Sequence, residues 1–399
     1  MGARMSGSWT AGRLRVLVRD LLVASGVPEP HAERTAEILV LADVWGVASH
    51  GVLRLPHYLA RLEAGGCRAD AALAEESTTG GVAVYDGNAG LGHWQLWEAA
   101  RRAVELCRTS GVAAVAIRNS SHCGALGAYV YPALEAGMIA LVFTNGPAVM
   151  PPWNGHRAVL STSPMAAGVP ARPRPLVLDL ATSAVARGTI AWRAQTGVEL
   201  EPGWAFDVEG RPTTDPAAAL RGMLTPMGGA KGYAVGLLVE ALTGALVGPN
   251  LSEAVPDMFD RGDDATPQGI GHLVLTLRPD LFGSGGTGRN EDRFTALADA
   301  IVAAGGRTPG ATRIAPRGRR RSAGRTGPGH PDPAHRVERP ARHGAPRVTG
   351  RPSGPVHCPA PYRGGKPVVL DRRRRRGPAP TPPRGILARP VDQRECVRW

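Results

Sequence analysis

The sequence predicts an α+β protein: a small helical unit, then a mixed domain of strands and helices, then a long basic tail. Three observations carry this. The first seventy residues hold three helical stretches and no strand-like run. From about residue 80, short apolar β-branched runs alternate with helical stretches over about 80–280, which indicates an α/β or α+β domain. After about residue 310 apolar periodicity stops, and arginine and proline take over.

Thr10–Ser25 reads as an amphipathic helix, with Leu14, Leu17, Val18, Leu21 and Leu22 at helical spacing and Gly26 as the stop. A second helix follows Pro28 and carries Ala36, Leu39, Val40 and Ala42 towards Val47. A third stretch, Leu53–Ala64, ends at Gly65-Gly66. Val82–Tyr85 is the first predicted strand, followed by a helix over Trp94–Arg108. Val112–Ile117 and Met138–Phe143 fit buried strands, with a helix over Leu126–Ala136 between them. Val159–Leu160, Leu176–Leu180 and Leu273–Leu277 are further strands. A long helix, Ala230–Val247, lies between the last two, and Arg293–Ala304 is the final helix.

The chain of 399 residues has a net charge of +13, which by itself suggests a nucleic-acid partner. Its distribution argues otherwise. Residues 311–399 hold 22 Lys+Arg and 5 Asp+Glu, leaving 25 and 29 for residues 1–310, so a body of −4 carries a tail of +17. The tail also holds 16 of the 36 prolines and cannot bury enough apolar surface to offset its ordering entropy; it is expected to be disordered. No helix-turn-helix or zinc motif offers sequence-specific nucleic-acid binding. No apolar run is long enough to span a membrane, and no secretory signal is visible. Five cysteines without C-x-x-C imply a reducing, cytoplasmic compartment and no metal site.

Four segments could carry chemistry. SHGVLRLPHY (Ser49–Tyr58) places a hydroxyl, an imidazole and a guanidinium close together. His50 and Arg54 share a face if the stretch is helical, which Pro56 puts in question. Arginine is the bidentate partner for a carboxylate, and histidine moves protons near neutral pH. The plainer alternative is a helix cap, a loop histidine and a surface arginine. NSSHCGALGAY (Asn119–Tyr129) follows a strand and opens a helix through small residues, where backbone N–H groups converge on an anion or cofactor phosphate. Cys123 beside His122 reads as a packing residue rather than a nucleophile. DLATSAV (Asp179–Val185) ends a strand with a carboxylate: a turn residue, or the orienting partner of a histidine. MGGAKGY (Met227–Tyr233) holds one of only two lysines of the chain, at a helix start, where a phosphate or carboxylate contact fits. GSGGTG (Gly283–Gly288) satisfies G-x-G-x-x-G as a string but lacks the strand before it and the acidic residue after it. It reads as a surface loop.

Together these segments, with STSPMAAGVPA (Ser161–Ala171), DLATSAVARG and PGWAFDVEGRPTTDP (Pro202–Pro216), resemble the malate/L-lactate dehydrogenase family that is unrelated to the Rossmann lactate dehydrogenases. They occur in the family's order over about residues 10–310. The resemblance implies an L-sulfolactate dehydrogenase-like, non-Rossmann α+β fold. Its helical domain would span 8–78, completed by a helix at 290–306, and its cofactor- and substrate-binding domain would span 79–289. The implied activity is NAD- or NADP-dependent interconversion of a 2-hydroxy acid and a 2-oxo acid by a bacterial homodimer, with reduction of a cyclic imine carboxylate as one alternative and an inactive chain whose basic tail binds nucleic acid non-specifically as the other.

By the same resemblance Ser49, His50 and Asp179 form the proton-relay group, with His122 competing with His50 as acid/base. Arg54, Thr162 and His122 meet the substrate. His122, Cys123, Gly124, Ala125, Leu126, Asp179, Leu180, Ala181, Lys231 and Gly232 meet the cofactor. Ala230 stands where the family often has His, and Ser161 and Ser163 where Gly and Asn are common. After Pro309 the resemblance fades into sequence of the kind a GC-rich gene yields out of frame, so 311–399 is expected to be a frameshifted translation.

Overall fold

The computed structural model describes residues 9–257, 261–282, 287–311 and Arg313. Three helices open it: α1 (Ala11–Ala24), α2 (Glu29–Val44) and α3 (Leu55–Ala64). The Thr10 hydroxyl accepts the Arg13 N–H and caps α1, and Gly26, at a φ of +87°, turns the chain out of it. Val18, Leu22, Ala36 and Leu39 form an apolar cluster with Leu55, Tyr58, Leu91 and Trp94. The stretch before α3 is not one helix but two 3₁₀ turns, Ala48–His50 and Val52–Arg54, hinged at the extended Gly51.

A seven-stranded mixed sheet follows, in the order β1-β2-β3-β10-β4-β5-β6. Its strands are β1 (Ala74–Thr79), β2 (Val82–Asp86), β3 (Val112–Ser120), β4 (Ile139–Thr144), β5 (Met165–Val169), β6 (Leu176–Leu180) and β10 (Ile270–Leu277). Among the described strands only β2 and β3 pair in parallel; α4 (Gly92–Ser110) makes their crossover. Alternation along β3 feeds two cores. Val115 and Ile117 meet Leu96, Ala99 and Ala103 of α4. Ala114 and Ala116 face Phe143, Leu273 and Val239 of α8 (Ala230–Glu240). Each fully buried Val, Ile or Leu there stabilises the fold by about 1.5–3 kcal/mol.

A smaller lobe lies between β6 and α8 in sequence. It contains α6 (Arg187–Thr196), α7 (Pro216–Arg221) and a short sheet β8-β7-β9 of Ala205–Phe206 (β7), Pro212–Thr213 (β8) and Met223–Leu224 (β9). Ile190, Leu200, Ala205 and Leu224 make its core. After β10, α9 (Thr287–Ala303) is the last described helix.

Several expectations change. Val159–Leu160 makes only an isolated bridge, Met150 to Leu160, because it has one antiparallel neighbour and no second strand to extend along. The helix expected over Leu126–Ala136 is a 3₁₀ turn, Leu126–Val130, then a short α5 (Tyr131–Glu135), with Pro132, which lacks an N–H, in its first turn. The helix expected over Ala230–Val247 passes from α to a π turn, Ala241–Ala245, after Glu240. The Glu240 carboxylate turns aside to accept the Ser252 N–H (2.7 Å) and hydroxyl (2.5 Å). Among the described residues, the final helix packs its apolar Phe294 and Ala298 on Val169, Ala171 and Leu176 at the β5–β6 end of the sheet. The expected tail, 311–399, lies outside the described residues except Ala311 and Arg313, as do residues 283–286 of the GSGGTG loop. Among the described residues no helix is long and apolar enough to cross a membrane.

Candidate active site

A cavity of about 360 Å³ opens where the 3₁₀ turns before α3, the loop after β3, and the ends of β4 and β6 meet the start of α6. Its size suits a small molecule or the reactive end of a cofactor. Ser49, His50 and Arg54 line one wall; His122, Cys123, Gly124, Ala125 and Leu126 line another; Thr162, Asp179, Leu180 and Ala181 complete it. Lys231 and Gly232 do not reach it. Lys231 is exposed, and a side chain at Gly232 would collide with the Met227 carbonyl, so that glycine serves the helix start.

The first wall is held by Asp43, whose carboxylate accepts the Val52 N–H at 3.0 Å. Arg54 is buried and donates from Nε to the Ser49 carbonyl at 2.7 Å, which aims the guanidinium into the cavity. The Ser49 hydroxyl lies 2.9 Å from His50 Nδ1. Burial first, and the charge of Arg54 second, push His50 down to about 4.

The second wall is the loop after β3. A side chain at Gly92 would meet the Ser121 carbonyl, so only glycine lets α4 start against this loop. The His122 N–H donates to Gln268 Oε1 at 3.0 Å. Arg61 steadies the segment that carries Gln268, donating to the carbonyls of Asp263 and Thr266. Tyr58 OH and His122 Nδ1 are 2.7 Å apart, and the rings of His50 and His122 are 5.9 Å apart. Burial pushes the Cys123 thiol far up, so it stays protonated and packs rather than attacks.

Asp179, at the end of β6, does not meet His50 among the described hydrogen bonds. Its Oδ2 accepts from Arg313 Nη1 at 3.2 Å, and burial raises its pKa while Arg313 opposes the rise. Arg313 is the residue the sequence hid, one arginine among many in a segment read as meaningless. The route to it is structural. The Pro309 carbonyl accepts the Val177 N–H at 3.1 Å, which ties the chain to the edge strand β6, and Arg313 lines the cavity, 5.0 Å from the Trp45 ring. A side chain at Gly127 would sit 2.5 Å from Arg313 Nη1 and 2.9 Å from Asp179 Oδ2, so this glycine leaves the pair its space.

Removing Arg313 leaves a buried carboxylate without its cation. Arg313→Met is expected to lower stability by about 1–3 kcal/mol at pH 7. Asp179→Asn in the same chain should restore part of the loss. Chemical denaturation of the two variants and the double variant checks this; additive losses would contradict the pairing.

Fold and site define the class: an α+β enzyme that brings a buried arginine and two imidazoles to one cavity. The sequence profile of malate/L-lactate dehydrogenase matches residues 9–326, and the chain belongs to that family. It is 40% identical over 295 residues to a (2R)-3-sulfolactate dehydrogenase (NADP(+)) of Chromohalobacter salexigens, covering 74% of this chain and 87% of that one. It is 37% identical over 313 residues to a Δ1-pyrroline-2-carboxylate reductase of Ancylobacter novellus, covering 78% and 91%. The solved sulfolactate dehydrogenase of Methanocaldococcus jannaschii superposes with a TM-score of 0.70 at 32% identity, over 76% of this chain and 88% of that one.

Proposed function

We propose that the protein is an NAD(P)-dependent oxidoreductase interconverting a 2-hydroxy acid and its 2-oxo acid. The observation that carries this reading is Arg54: a buried guanidinium aimed into the same cavity as His50 and His122. The sulfolactate dehydrogenase relatives support it. The donor set also fits a nicotinamide cofactor, since the loop Gly124–Leu126 and the strand end Leu180–Ala181 line the cavity with small and apolar groups. When bound, NAD or NADP supplies or accepts the hydride.

The chain's own residues bind, orient and move a proton. Arg54 holds the substrate carboxylate and so sets which face of C2 is presented. His50 takes the proton from the C2 hydroxyl in oxidation and returns it in reduction. The Ser49 hydroxyl, free to donate or accept, follows the charge on that ring. Asp179, hydrogen-bonded to Arg313, stands in the wall that holds Leu180 and Ala181. The same clamp and proton would serve a cyclic imine carboxylate, a second reading favoured by the pyrroline-carboxylate reductase relative.

A homodimer is part of the proposal: α8 and the segment after it expose Leu237, Leu238, Leu246 and Leu251, an apolar surface suited to a second copy. The free, buried Cys67, Cys107 and Cys123 fit a reducing cytoplasm. The test is NADH and NADPH oxidation by the purified full chain across 2-oxo acids and Δ1-piperideine-2-carboxylate. Saturable turnover of a 2-oxo acid is expected. Turnover of the imine alone would install the second reading, and silence from a folded, dimeric sample would overturn both.

A further inference from the structure

His50 and His122 both reach the cavity, yet their partners differ in kind. We propose that Tyr58 and the Gly124 backbone N–H lock His122 as the neutral Nε2–H tautomer, so that His122 donates a hydrogen bond to the substrate's C2 oxygen while His50 alone moves the proton. This rests on the proposed activity for its chemistry but not for its geometry.

A backbone N–H only donates. The Gly124 N–H faces His122 Nδ1 at 3.3 Å, so that nitrogen carries a lone pair rather than a proton. Tyr58 OH, 2.7 Å from the same Nδ1, is then a donor as well. The ring proton therefore sits on Nε2. Protonating Nδ1 would set its N–H against the Gly124 N–H, which cannot accept, and would oblige Tyr58 OH to accept rather than donate. Tyr58 is itself braced by the edge of His93, whose ring lies 4.7 Å away at 90°. Burial keeps the Tyr58 phenol protonated and able to donate.

The groups facing His122 all oppose a second proton. They are His50 and Arg54 from the 3₁₀ turns, His93 from α4 and His272 from β10, and burial outweighs them all. His50 stands differently: its Nδ1 faces the Ser49 hydroxyl, which accepts from an imidazolium as readily as it donates to a neutral ring. One histidine can change protonation state without losing a partner; the other cannot. Tyr58 is thus a positioning residue, and His122 a donor that strengthens as negative charge develops on the C2 oxygen during reduction.

Two measurements test this. His-selective ¹⁵N NMR of the wild-type full chain should show His122 with an unprotonated Nδ1 and a protonated Nε2 near neutral pH. In Tyr58→Phe the Nδ1 resonance should shift towards a tautomer mixture. A protonated Nδ1 in the wild type would overturn the proposal, and this readout needs no turnover, so it stands apart from failure of the activity. In kinetics, His122→Ala should lose about 10²–10³-fold in kcat, the size of one lost oxyanion donor. His122→Gln, whose side-chain amide N–H replaces Nε2–H but cannot transfer a proton, should recover at least tenfold of that with an unchanged pH profile. His122→Gln as inactive as His122→Ala, with both folded, would make His122 a proton carrier and sink the assignment.

Discussion

His50→Ala is expected to lower kcat by a factor of about 10²–10⁴ with little change in KM, because the proton-transfer group is lost while the Arg54 clamp stays. The pH dependence gives the sharper test. His50 is held down to about 4 by burial and then by Arg54, so the free enzyme carries it neutral across most of the working range. A neutral imidazole is the base for hydroxy-acid oxidation. The oxidative kcat/KM should therefore be level above about pH 5 and fall tenfold per unit below about 4. Reduction needs the protonated ring, so its kcat/KM should fall as pH rises above about 4. A bound carboxylate offsets the Arg54 charge, which should move the corresponding turn in kcat to higher pH. These pH limbs should vanish in His50→Ala, and a variant turning over near the wild-type rate would remove His50 from the chemistry.

Acid should destabilise the fold steeply. His93 and His272 are fully buried, and burial pushes them down to about 3 and about 4, with the charge of His272 adding to the effect on His93. Unfolded, both titrate near 6.5. A histidine whose folded value is depressed contributes stability that is complete above the unfolded value and is lost as pH falls towards the folded one. Between about pH 6 and pH 4 the unfolded chain binds two more protons through these two side chains, a loss on the order of 3 kcal/mol per pH unit. Glu37, Asp43 and Asp179, raised chiefly by burial, work in the opposite sense and blunt the slope. Urea midpoints measured from pH 6.5 to 4 should fall steeply, and His272→Gln should remove about one proton's worth of slope. Midpoints independent of pH would contradict the neutral, buried state of both rings.

What could be read in advance follows the range of each signal. The helices α1, α2 and α4 and the strands β2, β3, β4, β6 and β10 announce themselves because apolar spacing is a local property of the chain. Strand β1, AEESTT, is exposed along its whole length and carries no alternation. In β5, MAAGV, small residues pack beneath the turn holding Val130 and Leu134, which no local pattern reveals. The small lobe escaped because β7, β8 and β9 are two residues each, held by partners rather than by their own periodicity. Twelve of the fourteen residues singled out from sequence line the cavity, and Lys231 and Gly232 do not. Arg313 was hidden by composition, since one arginine with a site-facing role looks no different from the arginines around it.

By itself the sequence determined the alternation of strands and helices, the mildly acidic body behind the +13 charge, and the segments from which a site could be built. These are sums and short-range patterns, written in the order of residues. The tertiary structure alone decided which partner each group has. Asp179 faces Arg313 across 134 residues, and Tyr58 faces His122 across 64. A histidine's chemistry depends on what its two nitrogens touch, and those contacts form only when the chain closes on itself.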